Sequence, residues 1–346
     1  MSKRTQLFLR IPLFIGTAIS LFYVPWILVW AWILPLPDTI EDQLEEALGH
    51  GLEGIVVYVD QAGRPPEHYA AGWHDRDNKV PARPDAFFKI ASISKLYDAV
   101  AITKLVGAGK LSLDGTLAEY FPELTGRIEY ADQITLKMMV QHRSGIPNLT
   151  ETPGFWNNPP KSSEEALALV LDMPADFPPG EDYAYCNTNY LLISELVKKV
   201  SETSNFEYIR EVILEPLGLT HTYGSLHDIE MEDLMGGYYE GIEEDIKGTD
   251  YGSMIATAED VGMFLRALND GSVFGEGEQE IYSSIYVYDH TGLIPGYQSI
   301  AEYHEELDAV VIQFVNSTDF EGYTWNTGEI VYNRIMKILE RSVIAS

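Results

Sequence analysis

The order of strand-like and helix-like segments constrains the fold of this chain more than any other feature. Short runs rich in apolar, β-branched and aromatic residues predict strands near the beginning of the chain, at residues 54–60 and 68–73, and again near its end. Helical patterns occupy most of the sequence between these groups. Since the early and late strands must pair to bury their apolar faces, we predict an antiparallel sheet with a helical insertion, an α+β fold. The late strands are predicted at residues 285–288, 299–303 and 309–314, and helices at residues 40–48, 134–145, 187–200, 257–268 and 327–341.

An uncharged apolar run at residues 11–37 precedes this domain. As a helix, a run of this length spans about 30 Å of hydrocarbon, even with Pro25 inside it. Lys3, Arg4 and Arg10 precede it and acidic residues follow, so the positive-inside rule places the N-terminus in the cytoplasm. A cleaved signal peptide is the alternative, but the run is long and lacks a small-x-small cleavage site at its far end. We therefore predict a cytoplasmic segment at residues 1–10, a single-pass anchor in the lipid bilayer at residues 11–37, and a periplasmic or extracellular domain at residues 38–346.

The composition restricts the classes of partner. The chain carries 23 Lys and Arg against 53 Asp and Glu, a net charge of −30 at pH 7. Such a charge opposes binding to nucleic acid and to anionic membrane surfaces. The eight histidines form no His-Glu-x-x-His or His-x-His pair, so we expect neither a metal nor another cofactor. Cys186 is the only cysteine, which excludes an intramolecular disulfide, and we expect it to pack in the core.

Ser92 and Lys95 are the first candidates for a chemical role. They are three residues apart at the start of a predicted helix, so their side chains share one face. A serine hydroxyl becomes an effective nucleophile when a neighbouring base accepts its proton. Lysine can be that base in its neutral form, which burial and nearby positive charge favour. Taken alone, however, Ser-x-x-Lys occurs by chance, and two surface residues explain it more simply.

Tyr185 and Asn187 form the second candidate, just before the predicted helix at residues 187–200. In an extended segment their side chains project to the same side and that of Cys186 to the other. A phenol and a carboxamide facing one pocket could relay a proton and hold a substrate amide. The simpler local interpretation is a polar helix entry in which Asn187 only caps the helix.

His290, Thr291 and Gly292 form the third candidate, directly after the predicted strand at residues 285–288. Glycine at position 292 would allow a ligand to approach the backbone closely. Without further context, these residues are equally consistent with a loop histidine followed by an ordinary turn.

Together, the three candidates resemble the motifs of the serine β-lactamase and DD-peptidase superfamily in their order and approximate spacing. The commoner forms of those motifs are Ser-x-x-Lys, Ser-Asp-Asn and Lys-Thr-Gly. The Tyr-x-Asn form is similar to that of the class C β-lactamase branch, with its related esterases, D-alanyl-D-alanine carboxypeptidases and D-aminopeptidases. The resemblance implies a β-lactamase/transpeptidase-like fold with a helical subdomain, and hydrolysis through an acyl-enzyme. It covers roughly residues 40 to 345, including similar segments at residues 88–92, 141–146, 216–219 and 257–260.

The resemblance implies catalytic roles for three side chains. Ser92 would be the acylated nucleophile, Lys95 would accept or relay its proton, and Tyr185 would share the acid–base work. The backbone N–H groups of Ser92 and Leu293 would form the oxyanion hole, which typically contributes a few kcal/mol.

The resemblance also implies substrate-binding roles. Asn187 would bind the acyl amide of the substrate, while His290, Thr291 and Gly292 would line the other side of the site. His290 replaces the commoner lysine of the third motif. Asp289 stands where glycine is frequent in the family, a departure that affects the expected local geometry.

The substrate remains open at this stage, because pocket loops decide among esterase, β-lactamase, carboxypeptidase and aminopeptidase activities. We expect hydrolysis of esters or amides by an esterase- or peptidase-type enzyme. Histidine, with an unperturbed pKa of about 6.5, is mostly neutral at pH 7 and attracts a substrate carboxylate weakly. The alternatives from other classes are a tethered binding or regulatory protein that has the fold without turnover, and a structural membrane component.

Overall fold

An antiparallel sheet built from both ends of the chain lies at the centre of the structure, a computed structural model that describes residue 16 and residues 19–344. The strands are β1 (Gly54–Gln61), β2 (Glu67–Asp75), β3 (Val80–Pro81), β4 (Phe88–Lys89), β5 (Thr222–Tyr223), β6 (Tyr238–Tyr239), β7 (Ile255–Ala256), β8 (His290–Ile294), β9 (Tyr297–His304), β10 (Ala309–Val315) and β11 (Ser317–Thr318). The central sheet has the order β3-β2-β1-β10-β9-β8. Early β1 pairs antiparallel with late β10, which confirms the predicted α+β architecture.

Helices cover both faces of this sheet. On one face, the helices Ile40–Leu48 and Thr324–Ile344 pack against it; on the other lie the helix Ala258–Asn269 and the helical insertion. The helices are α1 (Trp26–Ile33), α2 (Ile40–Leu48), α3 (Ser94–Gly107), α4 (Leu117–Tyr120), α5 (Leu136–Val140), α6 (Ser163–Ala168), α7 (Asn187–Ser201), α8 (Asn205–Ile209), α9 (Glu215–Leu217), α10 (Ala258–Asn269), α11 (Glu278–Ser283) and α12 (Thr324–Ile344).

The side chains of β1 contribute to two hydrophobic cores, one on each face of the sheet. Its side chains alternate between the two faces, as the period of two requires. Ile55, Val57 and Val59 pack towards α2 and α12. Val56 and Tyr58 belong to the larger core on the opposite face, where the Tyr58 ring lies directly against Gly262 of α10. A side chain at position 262 would occupy the space of that ring.

Two predicted elements differ from the structure. Residues 285–288 form a turn and irregular chain rather than a strand. The N–H groups of Ile285 and Tyr286 donate to the Tyr282 carbonyl, and the Val287 carbonyl accepts from Tyr282 Oη instead of from a neighbouring strand. The helix predicted at residues 134–145 is limited to α5. It ends early because His142 adopts φ +58° and Gly145 adopts φ +74°, both incompatible with a continuing right-handed helix.

The predicted anchor lies partly outside the described residues, as does the predicted cytoplasmic segment at residues 1–10. Across residue 16 and residues 19–344, no helix combines the length and apolarity needed to cross a bilayer. The chain turns before Pro25, which precedes α1 and lacks the N–H that a continuous helix would use. Beyond α1, Arg334 of α12 donates hydrogen bonds to the carbonyl oxygens of Leu34 and Pro35, at 2.8 and 3.0 Å.

Candidate active site

Ser92 is presented by a strained turn at the junction of the sheet and the helical insertion. It lies in the one-turn helix Ala91–Ile93, which leads into α3. Ala91 adopts φ +50°, a left-handed conformation that costs an alanine roughly 1–2 kcal/mol. The Ala91 N–H donates to Ser253 Oγ at 2.8 Å, and Ser299 Oγ donates to the Ile90 carbonyl at 3.2 Å. These tertiary hydrogen bonds hold the turn in place, with Ser92 half-buried beside Lys95.

Lys95 connects the nucleophile to the second motif. Its side chain is 7% exposed, and Nζ donates to Ser92 Oγ at 3.0 Å and to Asn187 Oδ1 at 2.9 Å. The rings of Tyr185 and Tyr190 lie beside Nζ, with centroids at 5.1 and 5.3 Å. Aromatic faces stabilise a cation that has little access to water. In its neutral form, Lys95 would direct a lone pair towards the Ser92 hydroxyl and could accept its proton.

Asn187 is oriented by two residues that were not identified from the sequence. Its Nδ2 donates to Thr150 Oγ1 at 3.1 Å, and its backbone N–H donates to Asn148 Oδ1 at 3.0 Å. These contacts direct the carbonyl end of the Asn187 amide towards Lys95. The only signal in the sequence is that both residues closely follow the family-like segment at residues 141–146; nothing local links them to Asn187.

Tyr185 packs on a buried histidine and retains a free hydroxyl. Its ring stacks on His142 with centroids 4.4 Å apart. The Cys186 N–H donates to His142 Nδ1, and burial, followed by the positive charge of Lys95, lowers the pKa of His142 to about 3. His142 is therefore neutral at pH 7. Among the residues that the structure describes, Tyr185 Oη is buried without a hydrogen-bond partner, and the predicted burial of Cys186 is confirmed.

His290 is a neutral member of the site at pH 7. Its Nδ1 faces the Thr291 carbonyl, which can only accept, so Nδ1 carries the proton. Nε2 is then free to accept a hydrogen bond from Tyr286 Oη at 2.9 Å. Burial lowers the pKa of His290 to about 4, and the charge of Lys95 acts in the same direction. The His290 ring lies 6.3 Å from that of Tyr185, measured between centroids.

Gly292 allows β8 to lie directly against the nucleophile turn. A Cβ atom at this position would lie 2.5 Å from the Ile90 carbonyl oxygen and 3.0 Å from Ala91 Cβ. Glycine is therefore required for the close approach. Leu293 follows on β8, and its side chain is exposed. The side chain of Thr291 is exposed as well. The assignment of the Leu293 N–H to an oxyanion hole stays a prediction.

The three predicted motifs, far apart in sequence, thus meet at one edge of the sheet. Ser92, Lys95 and Asn187 are joined by hydrogen bonds, while Tyr185 and His290 flank them. Within the described part of the chain, no group of three or more His, Cys, Asp or Glu side chains is arranged to hold a metal ion. A serine paired with a lysine, a carboxamide and a free phenol is suited to acyl transfer. This fold and site define the class of serine hydrolases.

Sequence comparison assigns the family within that class. The family described as Beta-lactamase matches residues 38–292, and the chain belongs to it. It is similar to the protein flp of Staphylococcus aureus (strain MW2), with 28% identity over 216 residues, which cover 58% of this chain and 43% of that protein. The chain therefore spans less than half the length of this curated relative.

Solved structures show the same fold. The D-amino acid amidase from Ochrobactrum anthropi SV3, complexed with D-phenylalanine, superposes with a TM-score of 0.77 at 22% identity, covering 88% of this chain and 98% of that one. The penicillin binding protein from Bacillus halodurans has a TM-score of 0.72 at 21% identity, covering 86% and 98%. At these identities, the similarity establishes the shared fold.

Proposed function

We propose that the protein hydrolyses neutral esters or amides through an acyl-enzyme on Ser92. The observation that carries this proposal is the 3.0 Å contact between Lys95 Nζ and Ser92 Oγ, because it pairs a nucleophile with a base. Asn187, Tyr185 and His290 surround this pair, as the family resemblance predicts. An esterase or peptidase type of activity fits the site best.

In the proposed reaction, the same groups transfer the proton in one direction during acylation and in the reverse direction during deacylation. Ser92 Oγ attacks the substrate carbonyl carbon while its proton passes to neutral Lys95, and the carbonyl oxygen becomes an oxyanion held by the N–H groups of Ser92 and Leu293. The proton reaches the leaving group through Tyr185 Oη, and the ester or amide bond breaks. Water then attacks the acyl-enzyme by the reverse proton path and releases the acid. Asn187 Oδ1 would accept the N–H of a substrate acyl amide.

The third motif supports the choice of a neutral substrate. A lysine at position 290 would bring a permanent positive charge to a substrate carboxylate, whereas neutral His290 brings none. Penicillins and D-alanyl peptides both carry such a carboxylate. The similar D-amino acid amidase acts, by its name, on amides. We therefore expect weak turnover of carboxylate-bearing β-lactams.

A substrate panel tests this proposal. The purified full-length chain, kept in detergent, would be assayed at pH 8 with a nitrophenyl ester, D-phenylalanine amide, a D-alanyl dipeptide and a chromogenic cephalosporin. We expect the ester or the amide to be hydrolysed faster than the cephalosporin, and Ser92→Ala to abolish turnover while the protein stays folded. Faster hydrolysis of the cephalosporin would contradict the substrate assignment. Failure of a fluorophosphonate probe to label Ser92 would favour a binding protein without turnover.

We propose further that residues 11–37 anchor the protein in the cytoplasmic membrane, with the catalytic domain outside the cytoplasm. The uncharged run and the preceding Lys3, Arg4 and Arg10 support this topology. Trp26, Trp30 and Trp32, near its far end, have exposed side chains, as interfacial tryptophans would. The protein should remain with membranes after lysis, and protease added to spheroplasts should digest it. Full protection, or release of a shortened soluble protein, would contradict the anchor.

A further inference from the structure

Asp98 is a buried carboxylic acid one helical turn beyond Lys95. Ser92 and Lys95, and likewise Lys95 and Asp98, are three residues apart, so Lys95 neighbours both of the others on the chain entering α3. The Asp98 side chain is 8% exposed and has no role in the reaction described above. A buried carboxylate is costly unless nearby groups compensate it, so its position requires an explanation.

The groups around Asp98 come from four elements. Asn205 Nδ2, at the start of α8, donates to Asp98 Oδ1 at 2.8 Å. Lys95 supplies the positive charge that acts on the carboxylate from within α3. Tyr190 of α7 and Tyr286, in the segment before β8, are the other titratable groups that face it, and burial raises the pKa of both, which keeps them neutral.

Asp98 is also poised to change its charge near neutral pH. Burial raises its pKa to about 6, although the hydrogen bond from Asn205 and the charge of Lys95 oppose this shift. The electrostatic coupling between two groups is reciprocal. A positive Lys95 favours the carboxylate form of Asp98.

We propose that Asp98 is a positioning residue that acts on Ser92 through Lys95, its buried carboxylate setting the pH range in which the Ser92–Lys95 pair can be activated. This inference rests on the proposed function, since it concerns the same nucleophile. The carboxylate stabilises the ammonium that forms when Lys95 accepts the Ser92 proton. The predicted direction is the same if Tyr185 is the base instead, because removal of a negative charge makes any nearby deprotonation easier.

The test is the pH dependence of Ser92 labelling by a fluorophosphonate, measured on the full-length chain in detergent between pH 5 and 9. In this reaction the Ser92 Oγ–phosphorus bond forms, fluoride leaves, and the hydroxyl proton passes to the base. Asp98→Asn removes the charge but keeps an oxygen that can accept from Asn205. We expect the acid limb of the labelling-rate profile, where the rate falls towards low pH, to move to lower pH by about one unit in this variant. On the alkaline plateau, labelling should slow by roughly threefold, because the base is weaker.

Two matched variants separate this role from a structural one. Asp98→Glu restores the charge, so its acid limb should return towards that of the wild type. Thr103→Val alters a buried hydroxyl on the same helix, which donates only to the Ala99 carbonyl, and should leave the acid limb unchanged. A folded Asp98→Asn protein with the acid limb of the wild type would overturn the proposal.

A variant away from α3 covers the case in which Asp98→Asn does not fold. Asn205→Ala removes the hydrogen bond to the carboxylate, so Asp98 would be protonated up to a higher pH. We expect a smaller shift of the acid limb in the same direction, and an unmoved limb would again overturn the inference. Absence of labelling in the wild type would reject the proposed function itself, whereas labelling with unmoved profiles rejects only the role of Asp98.

Discussion

The role of Lys95 as the base can be tested by comparing its alanine variant with that of another lysine on the same helix. Lys95→Ala removes the base beside Ser92, and loss of acid–base catalysis typically costs 10²–10⁴-fold in rate. Lys104 lies nine residues further along α3, where it binds Glu278 and the Val273 carbonyl instead. We expect ester hydrolysis by Lys95→Ala to fall by at least about a hundredfold. Lys104→Ala should keep its turnover and lose only stability.

The Lys95 assignment has a clear point of failure. A Lys95→Ala protein that keeps more than about a tenth of the wild-type rate would exclude Lys95 as the principal base. Thermal unfolding of both lysine variants would show whether a loss of rate reflects the chemistry or the fold.

His290 leads to a prediction about pH and substrate charge. Because the pKa of His290 is lowered to about 4, below its usual 6.5, the imidazole stays neutral as the pH falls from 8 to 5. The ratio of kcat/KM for a carboxylate-bearing ester to that for a neutral ester should therefore stay constant over this range. An exposed histidine would instead raise the ratio below about pH 6.5.

The matched variant at this position is His290→Lys. A permanent charge should raise the relative kcat/KM for the carboxylate substrate by about tenfold, the equivalent of roughly 1.4 kcal/mol, provided that the longer side chain fits. Tyr286→Phe removes the hydrogen bond to His290 without adding charge, so it should not alter substrate preference. A wild-type ratio that rises steeply below pH 6.5 would contradict a neutral His290.

At the scale of elements, catalysis should depend most on the close contact between β8 and the turn Ala91–Ile93, which carries Ser92. Gly292→Ala would place a methyl group 2.5 Å from the Ile90 carbonyl oxygen, so either β8 or the turn must move. Since small misplacements of reacting groups can cost about a hundredfold in rate, we expect activity to fall to that extent. Gly248→Ala, where no atom lies within 4 Å of the added Cβ, is the control.

Measurements of kcat and thermal stability would distinguish the possible outcomes for Gly292. Loss of kcat with a small change in Tm would show that the contact between β8 and this turn positions Ser92. Wild-type kcat in Gly292→Ala would show that the approach of β8 to this turn does not matter for catalysis.

At the scale of the whole molecule, Arg334 joins the two ends of the chain. Its side chain is 5% exposed, and besides the carbonyls of Leu34 and Pro35 it binds Gln43 Oε1 at 2.6 Å and Glu46 Oε1 at 2.9 Å. Arg334→Ala would leave Glu46, the buried Gln43 amide oxygen and the carbonyls of Leu34 and Pro35 without this donor, which typically costs about 3 kcal/mol. We expect a lower free energy of unfolding and little change in kcat, because these contacts of Arg334, which we call the Arg334 clamp, lie on the sheet face opposite the insertion.

Chemical denaturation of Arg334→Ala, compared with that of Arg341→Ala, would test this clamp. Arg341 is exposed near the end of the same helix, and its removal should cost less than about 0.5 kcal/mol. Equal stabilities of the two variants would show that the contacts of Arg334 with the N-terminal segment contribute little.

The parts of the structure that depend on neighbours in sequence were predictable. The continuous apolar run of β1 fits a strand that is buried on both faces, and Thr257, the first residue of the helix predicted at 257–268, caps α10. The contact between Ser92 and Lys95 follows from a spacing of three residues on one helical face. The order of strands and helices predicted the α+β fold, and the three motifs indicated the family.

Only the tertiary structure determined how those motifs are held. Thr150 contacts Asn187 across 37 positions, Asn205 reaches Asp98 across 107, and Ser253 supports Ala91 across 162. Such pairs leave no periodic pattern, because neither residue restricts the local conformation of the other. The irregular segment at residues 285–288 also depends on a distant residue, since Asn269 of α10 donates to the Tyr288 carbonyl, whereas the apolar run itself favoured a strand.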